Sequence, residues 1–396
     1  MKMDPSMTIA DVRMRLTSEW HAQALARNLA SVRARLCVNG YFPESLSGAY
    51  DGMFPRTVGA LARLFTLTGE LDALEHSVEY VFRGMGDNGL ARVPHVVRAQ
   101  DGNGRVPLGD ASDQIDGQAH VILAYALLAL ARERCAYEDR RWDVVAALLD
   151  RSVQSPYLCR NTRWRIHPGL VLNINLEHSR EWNYWFAYDF LSQSFVAAAL
   201  EAMIALAQRR GDTERAAAWQ EALEFLEGNI HRKMVCERNG KSTYLEMLLP
   251  SGRAPVAYDG VGWLNLAPIP SGWQGVDAKI FRNTIDFWHQ HAAIAWAGPR
   301  ITACDWTPAG HTNETYGKML GWDLVYCMQS GEFDRVCAML DFLEQVNTAA
   351  LYAEIFTWVP AEQRWALRDA GNGEQAVWLC WALMRVRALA GLPVDA

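Results

Sequence analysis

The sequence predicts an all-α fold in which six helical hairpins close into a ring, with a small β-hairpin insertion around residues 232–275. Three observations predict it: apolar residues recur with a helical period, the helices are of two kinds, and short glycine-containing turns join them. The chain has 396 residues, 50% hydrophobic and 21% charged, which excludes a disordered protein. Because no linker or charge run divides the chain, we expect a single domain over residues 1–396.

The predicted helices differ in which of their faces are apolar. Residues 117–131 and 194–207 are apolar nearly all round, as expected of helices that are covered on every side. Residues 213–227 instead place Trp219 and Leu223 on one stripe and charged residues on the other, so this helix should face solvent. We therefore expect inner helices to alternate with outer ones.

Three short turns share a glycine followed by an acidic residue. They are Gly69-Glu70, Gly211-Asp212 and Gly331-Glu332. Glycine can adopt the left-handed conformation that ends one helix, and an acidic residue suits the N-terminus of the next. The glycines are 142 and 120 residues apart, each near two hairpins if six hairpins of about 66 residues fill the chain.

Residues 232–275 interrupt the helical pattern. Asn239-Gly240 and Ser251-Gly252 lie between short runs with high β-propensity, such as residues 242–245. This pattern is typical of β-hairpins, so we expect an insertion of this kind between two helical hairpins.

The composition excludes several classes of partner. The formal net charge is −7 and no block of Lys or Arg occurs, which disfavours nucleic acid and polyanionic substrates. The N-terminus lacks the apolar stretch of a signal peptide, and the apolar run 121–131 is shorter than the roughly 20 residues of a membrane span. We expect a cytoplasmic protein that binds no membrane, and its oligomeric state stays open.

Cysteine and histidine spacing predicts neither a metal nor a cofactor. The eight cysteines are spread singly, and most should be reduced core residues. His289 and His291 form the only close histidine pair, and their spacing on a helix points the rings to different faces.

Carboxylates and aromatic residues recur where a binding site is expected. In a closed ring the inner helices point the same way, so the segments before them meet at one mouth, opposite the glycine turns. These segments are 50–56, 113–118, 176–182, 305–314, the segment around Glu354, and 372–375. Ten of the sixteen Trp lie from Trp263 onward, and three or four of the sixteen should line the site while most belong to the core. Indole rings stack on sugars and carboxylates bind hydroxyls, so carbohydrate is the expected ligand.

These segments resemble the six-hairpin glycoside hydrolases, the (α/α)6 toroids that include glucoamylases and trehalases, most of which invert configuration. Asp116-Gly117 is similar to their D-G-x-A segment, and Phe54-Pro55-Arg56 to their W-x-R-D strip. Glu177 lies where their W-E-E motif places the general acid. Glu354 lies one loop before the final helix, as their general base does. Two departures are Thr57 in place of the Asp after the arginine, and His178 in place of the second acidic residue.

The resemblance implies an exo-acting, inverting hydrolase of a neutral oligosaccharide or small glycoside. Glu177 would protonate the leaving oxygen, with Glu181 or Asp189 as alternatives, and Glu354 would activate water. Substrate-binding candidates come from the same segments and from the residues before the last helix. They are Asp51, Arg56, Asp116, His120, Arg180, Glu181, Trp182, Trp273 and Glu374.

Three other functions stay open. A sugar 2-epimerase or aldose–ketose isomerase would use histidines as proton carriers, and the candidates are His120, His178, His289 and His291. An unsaturated-uronide hydrolase is weakened by the shortage of basic residues. A toroid that binds sugar without turnover is the third alternative.

Overall fold

The structure is a computed structural model that describes residues 7–110, 114–153, 169–178, 183–249, 256–296, 301–307 and 310–394. For residues 174–178, 183–185 and 256 it describes the backbone alone.

The helices of the described residues follow one another along most of the chain. In order they are α1 (Ile9–Leu16), α2 (Glu19–Arg35), α3 (Pro55–Thr68), α4 (Leu71–Asp87), α5 (Ile115–Leu130), α6 (Ala136–Val153), α7 (Phe190–Arg210), α8 (Thr213–Lys233), α9 (Pro268–Ser271), α10 (Ala278–His291), α11 (Gly317–Ser330), α12 (Phe333–Val346) and α13 (Gly373–Leu389). A 3-10 helix, Gly262–Leu266, precedes α9.

The strands are short and pair antiparallel, mostly with a neighbour in the sequence. They are β1 (Val96–Val97), β2 (Leu108–Asp110), β3 (Asn173–His178), β4 (Asn183–Asp189), β5 (Val235–Arg238), β6 (Lys241–Tyr244), β7 (Met247–Leu249), β8 (Val256–Tyr258), β9 (Ala293–Ile294), β10 (Ile301–Thr302), β11 (Trp306–Thr307), β12 (Gly310–His311), β13 (Glu314–Tyr316), β14 (Ile355–Val359) and β15 (Arg364–Arg368). The larger sheets have the orders β3-β4-β7-β8 and β13-β14-β15. Strands β5 to β8 confirm the insertion predicted around residues 232–275.

One compact unit consists of Val38–Tyr41 and Gly52–Trp288. Its helices α3, α5 and α7 pack side by side, and α4, α6 and α8 pack against them. Fourteen of the sixteen residues of α5 are buried, whereas α8 buries one stripe that includes Trp219 and Leu223. The predicted alternation of inner and outer helices is confirmed in this unit.

The other compact unit consists of Met1–Cys37, Phe42–Asp51 and His289–Ala396. Here α11 packs against α13 and α12, α2 packs against α13, and α1 packs against α12. Strand β13 leads directly into α11, while β14 and β15 form a hairpin before α13. The single domain over residues 1–396 stays a prediction.

The glycine turns have the predicted conformation. Gly69, Gly211 and Gly331 end α3, α7 and α11 with φ values of 77°, 74° and 74°. Asp212 caps α8 through a hydrogen bond from the backbone N–H of Arg215. The equivalent Glu70 and Glu332 occupy N-cap positions without a side-chain cap bond, so there the acidic charge alone favours the helix N-terminus.

Most of the clustered tryptophans belong to the core, as the sequence predicts. Of the ten from Trp263 onward, nine are buried, and Trp288, Trp322 and Trp378 are almost completely so. Trp296 is half-buried and packs edge-on against Trp358 and Trp365.

By length and composition, helix α7 could cross a membrane. In this structure 83% of its most apolar stretch is buried inside the protein, which is the pattern of a core helix.

Candidate functional site

The starts of three packed helices bring four polar side chains together in the unit that contains Gly52–Trp288. We call them the Asp116 cluster: Arg56, Asp116, Asn173 and Asp189. Arg56 and Asp116 lie in the first turns of α3 and α5, and Asp189 is the N-cap of α7. Within this unit the helix N-termini therefore meet, as the sequence predicts for inner helices.

Hydrogen bonds join the Asp116 cluster into one buried network. Arg56 Nε lies 2.5 Å from Asp116 Oδ2, and Asn173 Nδ2 donates to Asp116 Oδ1 at 3.0 Å. The Asn173 side chain also hydrogen-bonds to Asp189, whose two oxygens accept from the N–H and the hydroxyl of Ser192, each at 2.7 Å. Asn173 begins β3, so it connects the strand that carries Glu177 to the starts of α5 and α7.

The two buried carboxyls of this cluster have opposite pKa shifts. Burial raises the pKa of Asp116, but the charge and hydrogen bond of Arg56 outweigh burial, and the pKa is lowered overall. Burial and the nearby charge of Asp116 raise the pKa of Asp189 to about 6, against the hydrogen bonds from Ser192 and Asn173. Asp116 is therefore ionised at neutral pH, whereas Asp189 titrates at a pH only slightly below neutral.

His120 and Trp273, predicted to bind substrate, are both 2% exposed in this unit. The His120 ring lies 3.7 Å from the Phe195 ring, and a Cβ on Gly59 would come within 2.1 Å of its Nδ1. Trp273 stacks on His231, and its indole N–H donates to Glu227 at 2.8 Å. Both rings thus pack against protein on several sides.

A second cluster surrounds Glu354 in the unit that contains His289–Ala396. We call it the Glu354 cluster: Tyr50, Glu354 and Arg368. The Tyr50 hydroxyl donates to Glu354 Oε1 at 2.7 Å, and Arg368 Nε lies 3.4 Å from Oε2. Glu354 is 8% exposed, while the Arg368 side chain is 46% exposed.

The backbone around Glu354 is held by the β13-β14-β15 sheet. Glu354 comes directly before β14, its N–H donates to the carbonyl of Arg368 at 2.9 Å, and its carbonyl accepts from Gly317 at the start of α11 at 2.9 Å. Asp369, with a φ of 44°, accepts hydrogen bonds from the hydroxyls of Ser45 and Ser47. These bonds fix the backbone of Glu354 and of the neighbouring strand end.

The starts of α11 and α13 lie side by side next to this cluster. Lys318 Nζ is 3.0 Å from a carboxylate oxygen of Glu374, and the Lys318 N–H donates to the side chain of Gln375 at 2.8 Å. The Glu374 N–H in turn donates to Glu44 at 2.9 Å. Glu374, predicted to bind substrate, therefore forms an ion pair with Lys318.

Burial dominates the electrostatics of Glu354 and raises its pKa. The hydrogen bond from Tyr50 and the charges of Arg368 and Lys318 lower it and offset part of the effect, while the charge of Asp369 raises it. The pKa of the carboxyl stays above its usual range, so it is a stronger base than an exposed glutamate.

The structure describes only part of the remaining predicted site. The backbone of Glu177 lies in β3, opposite Tyr184 of β4, and its side chain is outside the described atoms. Arg180, Glu181 and Trp182 lie outside the described residues. Asp51 is exposed and directly follows Tyr50.

Tyr50, Arg368 and Asn173 were not among the residues predicted to form the site. Tyr50 lies 304 residues from Glu354 in the chain, so no local pattern links the two. Arg368 could have been found from the strand alternation of residues 355–368, which places it opposite Ile355 in the hairpin.

The candidate histidines that the structure describes have separate surroundings. His289 is buried with its Nε2 2.8 Å from Asp323 Oδ1, whereas His291 is exposed with its ring 5.9 Å from that of Trp306. The side chain of His178 is outside the described atoms. Of the side chains that the structure describes, His289, Asp323 and Cys327 could together hold a metal ion.

Comparison with known proteins finds similarity in structure and not in sequence. No family model matches the chain, and no curated protein matches it. A bacterial glucoamylase complexed with acarbose superposes with a TM-score of 0.66 at 14% identity, over 97% of this chain and 58% of the glucoamylase. This chain therefore spans little more than half the length of that enzyme.

Two further solved structures match over nearly their whole length. A metal-independent α-mannosidase from Streptococcus pneumoniae, in a non-productive complex with α-1,6-mannobiose, has a TM-score of 0.64 at 11% identity, covering 97% of each chain. A glycosidase variant in complex with glucose has a TM-score of 0.59 at 15% identity, covering 97% of this chain and 98% of the other. The likeness confirms the predicted fold class, the all-α (α/α)6 toroid of the six-hairpin glycosidases.

Proposed function

We propose that this protein is a glycoside hydrolase that inverts configuration and uses Glu354 as its general base. The observation that supports this most is the Glu354 cluster: a buried carboxylate with a raised pKa, oriented by Tyr50 and Arg368 at the edge of a rigid sheet. The fold likeness to enzymes bound to acarbose, mannobiose and glucose supports carbohydrate as the ligand.

The raised pKa and the orientation of the Glu354 carboxylate suit a general base. An inverting hydrolase needs a base that takes a proton from water while the water attacks the anomeric carbon. A raised pKa strengthens the base, and the hydrogen bond from Tyr50 fixes the direction in which one oxygen points. The other oxygen, near Arg368, is held less tightly at 3.4 Å and is our candidate to contact the water.

The general acid is proposed from the segment that ends at α7. Glu177 on β3 is the first candidate by resemblance, with Glu181 the second. Asp189 has the raised pKa of an acid, but its side chain is fully buried and both its oxygens already accept hydrogen bonds from Ser192. We therefore rank Asp189 below the two glutamates.

The proposed substrate is a neutral oligosaccharide or small glycoside, attacked at its end. Arg56 is the best-placed substrate-binding candidate of its unit, because the fully buried Asp116 carboxylate orients it and 13% of its side chain is exposed. In this proposal Asp116 contributes to substrate binding indirectly, because it orients the Arg56 side chain. A cytoplasmic location stays a prediction, supported by the seven free cysteines among the described residues.

Two of the candidate histidines, His120 and His289, give the isomerase alternative no support. His120 is packed against Phe195, and His289 is paired with Asp323. A proton carrier must reach the substrate, and neither ring offers more than 8% of its surface.

Glu354→Gln tests the proposal on a panel of α- and β-linked disaccharides. Removal of the base should lower kcat by about 10²- to 10⁴-fold while the circular dichroism spectrum and the melting temperature stay close to wild type. Glu177→Gln should behave alike if Glu177 is the acid. Glu362→Gln is the matched control, because Glu362 is exposed on the same hairpin and pairs only locally with Arg364. Full activity of Glu354→Gln on the substrate that wild type cleaves would exclude Glu354 as the base.

A further inference from the structure

A buried cluster of potential metal ligands lies between the end of α10 and the middle of α11. His289, Asp323 and Cys327 are at most 8% exposed, and one ligand atom from each lies within 4.8 Å of the others. His289 Nε2 is 2.8 Å and Cys327 Sγ is 3.4 Å from the same oxygen of Asp323. Asp323 and Cys327 are four residues apart, so they share a face of α11.

A fourth group comes from the turn that follows α11. Glu332, directly after Gly331, places its Oε2 4.0 Å from Cys327 Sγ. The cluster thus offers one nitrogen, one sulfur and two carboxylate groups. Ligand atoms around a tetrahedral zinc ion lie about 3.3–3.8 Å apart, given bond lengths of about 2.0–2.3 Å, and the distances found here bracket that range.

We propose that His289, Asp323, Cys327 and Glu332 form a structural zinc site. The donor set selects the metal: Mg²⁺ and Ca²⁺ prefer oxygen ligands alone, whereas nitrogen, sulfur and carboxylate together suit Zn²⁺. The proposal does not depend on the proposed hydrolase activity.

Arg335 contributes a positive charge beside the proposed metal ligands. It lies 3.6 Å from Asp323 Oδ2 and 3.9 Å from Glu332 Oε2. With Cys327 as thiolate, the two carboxylates and the sulfur carry three negative charges, and Arg335 leaves a net charge of −2. A divalent cation neutralises this charge, which burial otherwise makes costly. Arg335 also lies beside Oδ2 of Asp323, whereas His289 contacts Oδ1. Groups that hydrogen-bond to a metal ligand commonly orient it in this way.

The position of the cluster indicates a structural and not a catalytic role. The N-terminus of α11 contacts Glu354 through Gly317, and Asp323 and Cys327 follow six and ten residues later. At 1.5 Å per residue they lie about 9 and 15 Å further along the helix axis, towards the glycine turn. Zinc bound there would join α10, α11 and the start of α12.

Cobalt and zinc binding to the full-length protein test this site directly. Wild type, stripped with a chelator, should bind one equivalent of Zn²⁺, melt at a higher temperature with Zn²⁺ than without, and show thiolate-to-metal charge-transfer absorption with Co²⁺. Cys327→Ala should abolish that absorption and weaken Zn²⁺ binding by about tenfold or more. Cys337→Ala, which removes another buried thiol from the same unit, should behave as wild type.

A second variant keeps the test decisive if Cys327→Ala does not fold. The Glu332 side chain is 31% exposed, so Glu332→Gln should fold normally and still weaken Zn²⁺ binding. The proposal is overturned if wild type binds less than one equivalent, shows no charge-transfer band, and melts at the same temperature with and without Zn²⁺. The four side chains and Arg335 would then be a hydrogen-bonded network only.

Discussion

Tyr50 and Arg368 act on Glu354 in the direction opposite to burial. Both stabilise the carboxylate form, while burial favours the protonated form and is the largest effect. The proposed base is therefore a compromise: basic enough to take a proton from water, yet ionised over a useful range of pH.

Removal of the Tyr50 hydroxyl should shift the pH dependence of the reaction. Tyr50→Phe deletes a hydrogen bond that lowers the pKa of Glu354, so the pKa should rise further and the acidic limb of the kcat/KM profile should move to higher pH. Tyr125→Phe is the control, because the hydroxyl of Tyr125 donates to the Glu138 carbonyl in another unit of the chain. An acidic limb that stays in place or moves to lower pH would separate Tyr50 from the base.

Asp189 makes the stability of the protein depend on pH. Its pKa is about 6 in the folded protein, above the usual value of 3.8 for this side chain, so folding favours the protonated form. The resulting stabilisation is complete below the unfolded pKa and is lost as the pH rises through about 6. This difference in pKa corresponds to at most about 3 kcal/mol of folding free energy.

Asp189→Asn should remove this pH dependence, because asparagine caps a helix about as well and carries no charge. Urea denaturation measures the free energy of unfolding of both proteins. The value for the variant minus the value for wild type should increase between about pH 4 and about pH 8. The increase should reach at most about 3 kcal/mol. A difference between variant and wild type that is constant with pH would show that Asp189 does not titrate in this range.

Individual site residues were predictable only where a local pattern marks them. The sequence marks Glu354 by its place before the last helix, and Arg56 and Asp116 by their places at helix starts; their roles stay predictions. That Arg56 and Asp116 are each other's partners was not predicted, because 60 residues separate them and pairing depends on how α3 packs against α5. Tyr50 and Asn173 were missed for the same reason.

Helices and their turns follow closely from the sequence. The apolar runs 117–131 and 194–207 became α5 and α7, and the glycines of the three turns end helices in the left-handed conformation. Both signals are local. The sequence does not predict the strands beside the proposed site, β14 and β15. They pair with each other as a local hairpin, with Trp358 opposite Trp365. The pairing of β14 with β13 instead joins residues far apart in the chain, such as Thr357 and Glu314, and no local pattern marks it.

Close packing between α3 and α5 requires a glycine at position 59. A Cβ there would lie 2.1 Å from His120 Nδ1, so Gly59→Ala must push the buried imidazole away and should destabilise the protein by about 1–3 kcal/mol. Gly86→Ala is the control, since Gly86 is also helical and a Cβ there meets nothing within 4 Å; it should stabilise by about 0.5–1 kcal/mol. Urea denaturation measures both, and equal effects would contradict the packing.

At the scale of the whole molecule, the chain shares its fold with glycosidases at 11–15% identity. The fold was predictable because length, helix type and turn spacing each limit the possibilities. The substrate was not, because it depends on the positions of side chains that lie far apart in the sequence. Solution chemistry must therefore identify the sugar and the linkage.

The stereochemistry of the first product tests whether the protein is an inverting hydrolase with Glu354 as its general base. A disaccharide that the wild-type protein cleaves should be followed by proton NMR from the first minutes, before the anomers equilibrate, with Glu354→Gln measured in parallel. We expect the first product to have the anomeric configuration opposite to that of the substrate, and Glu354→Gln to form it about 10²- to 10⁴-fold more slowly. Retention of configuration, or a Glu354→Gln rate equal to wild type, would contradict this proposal.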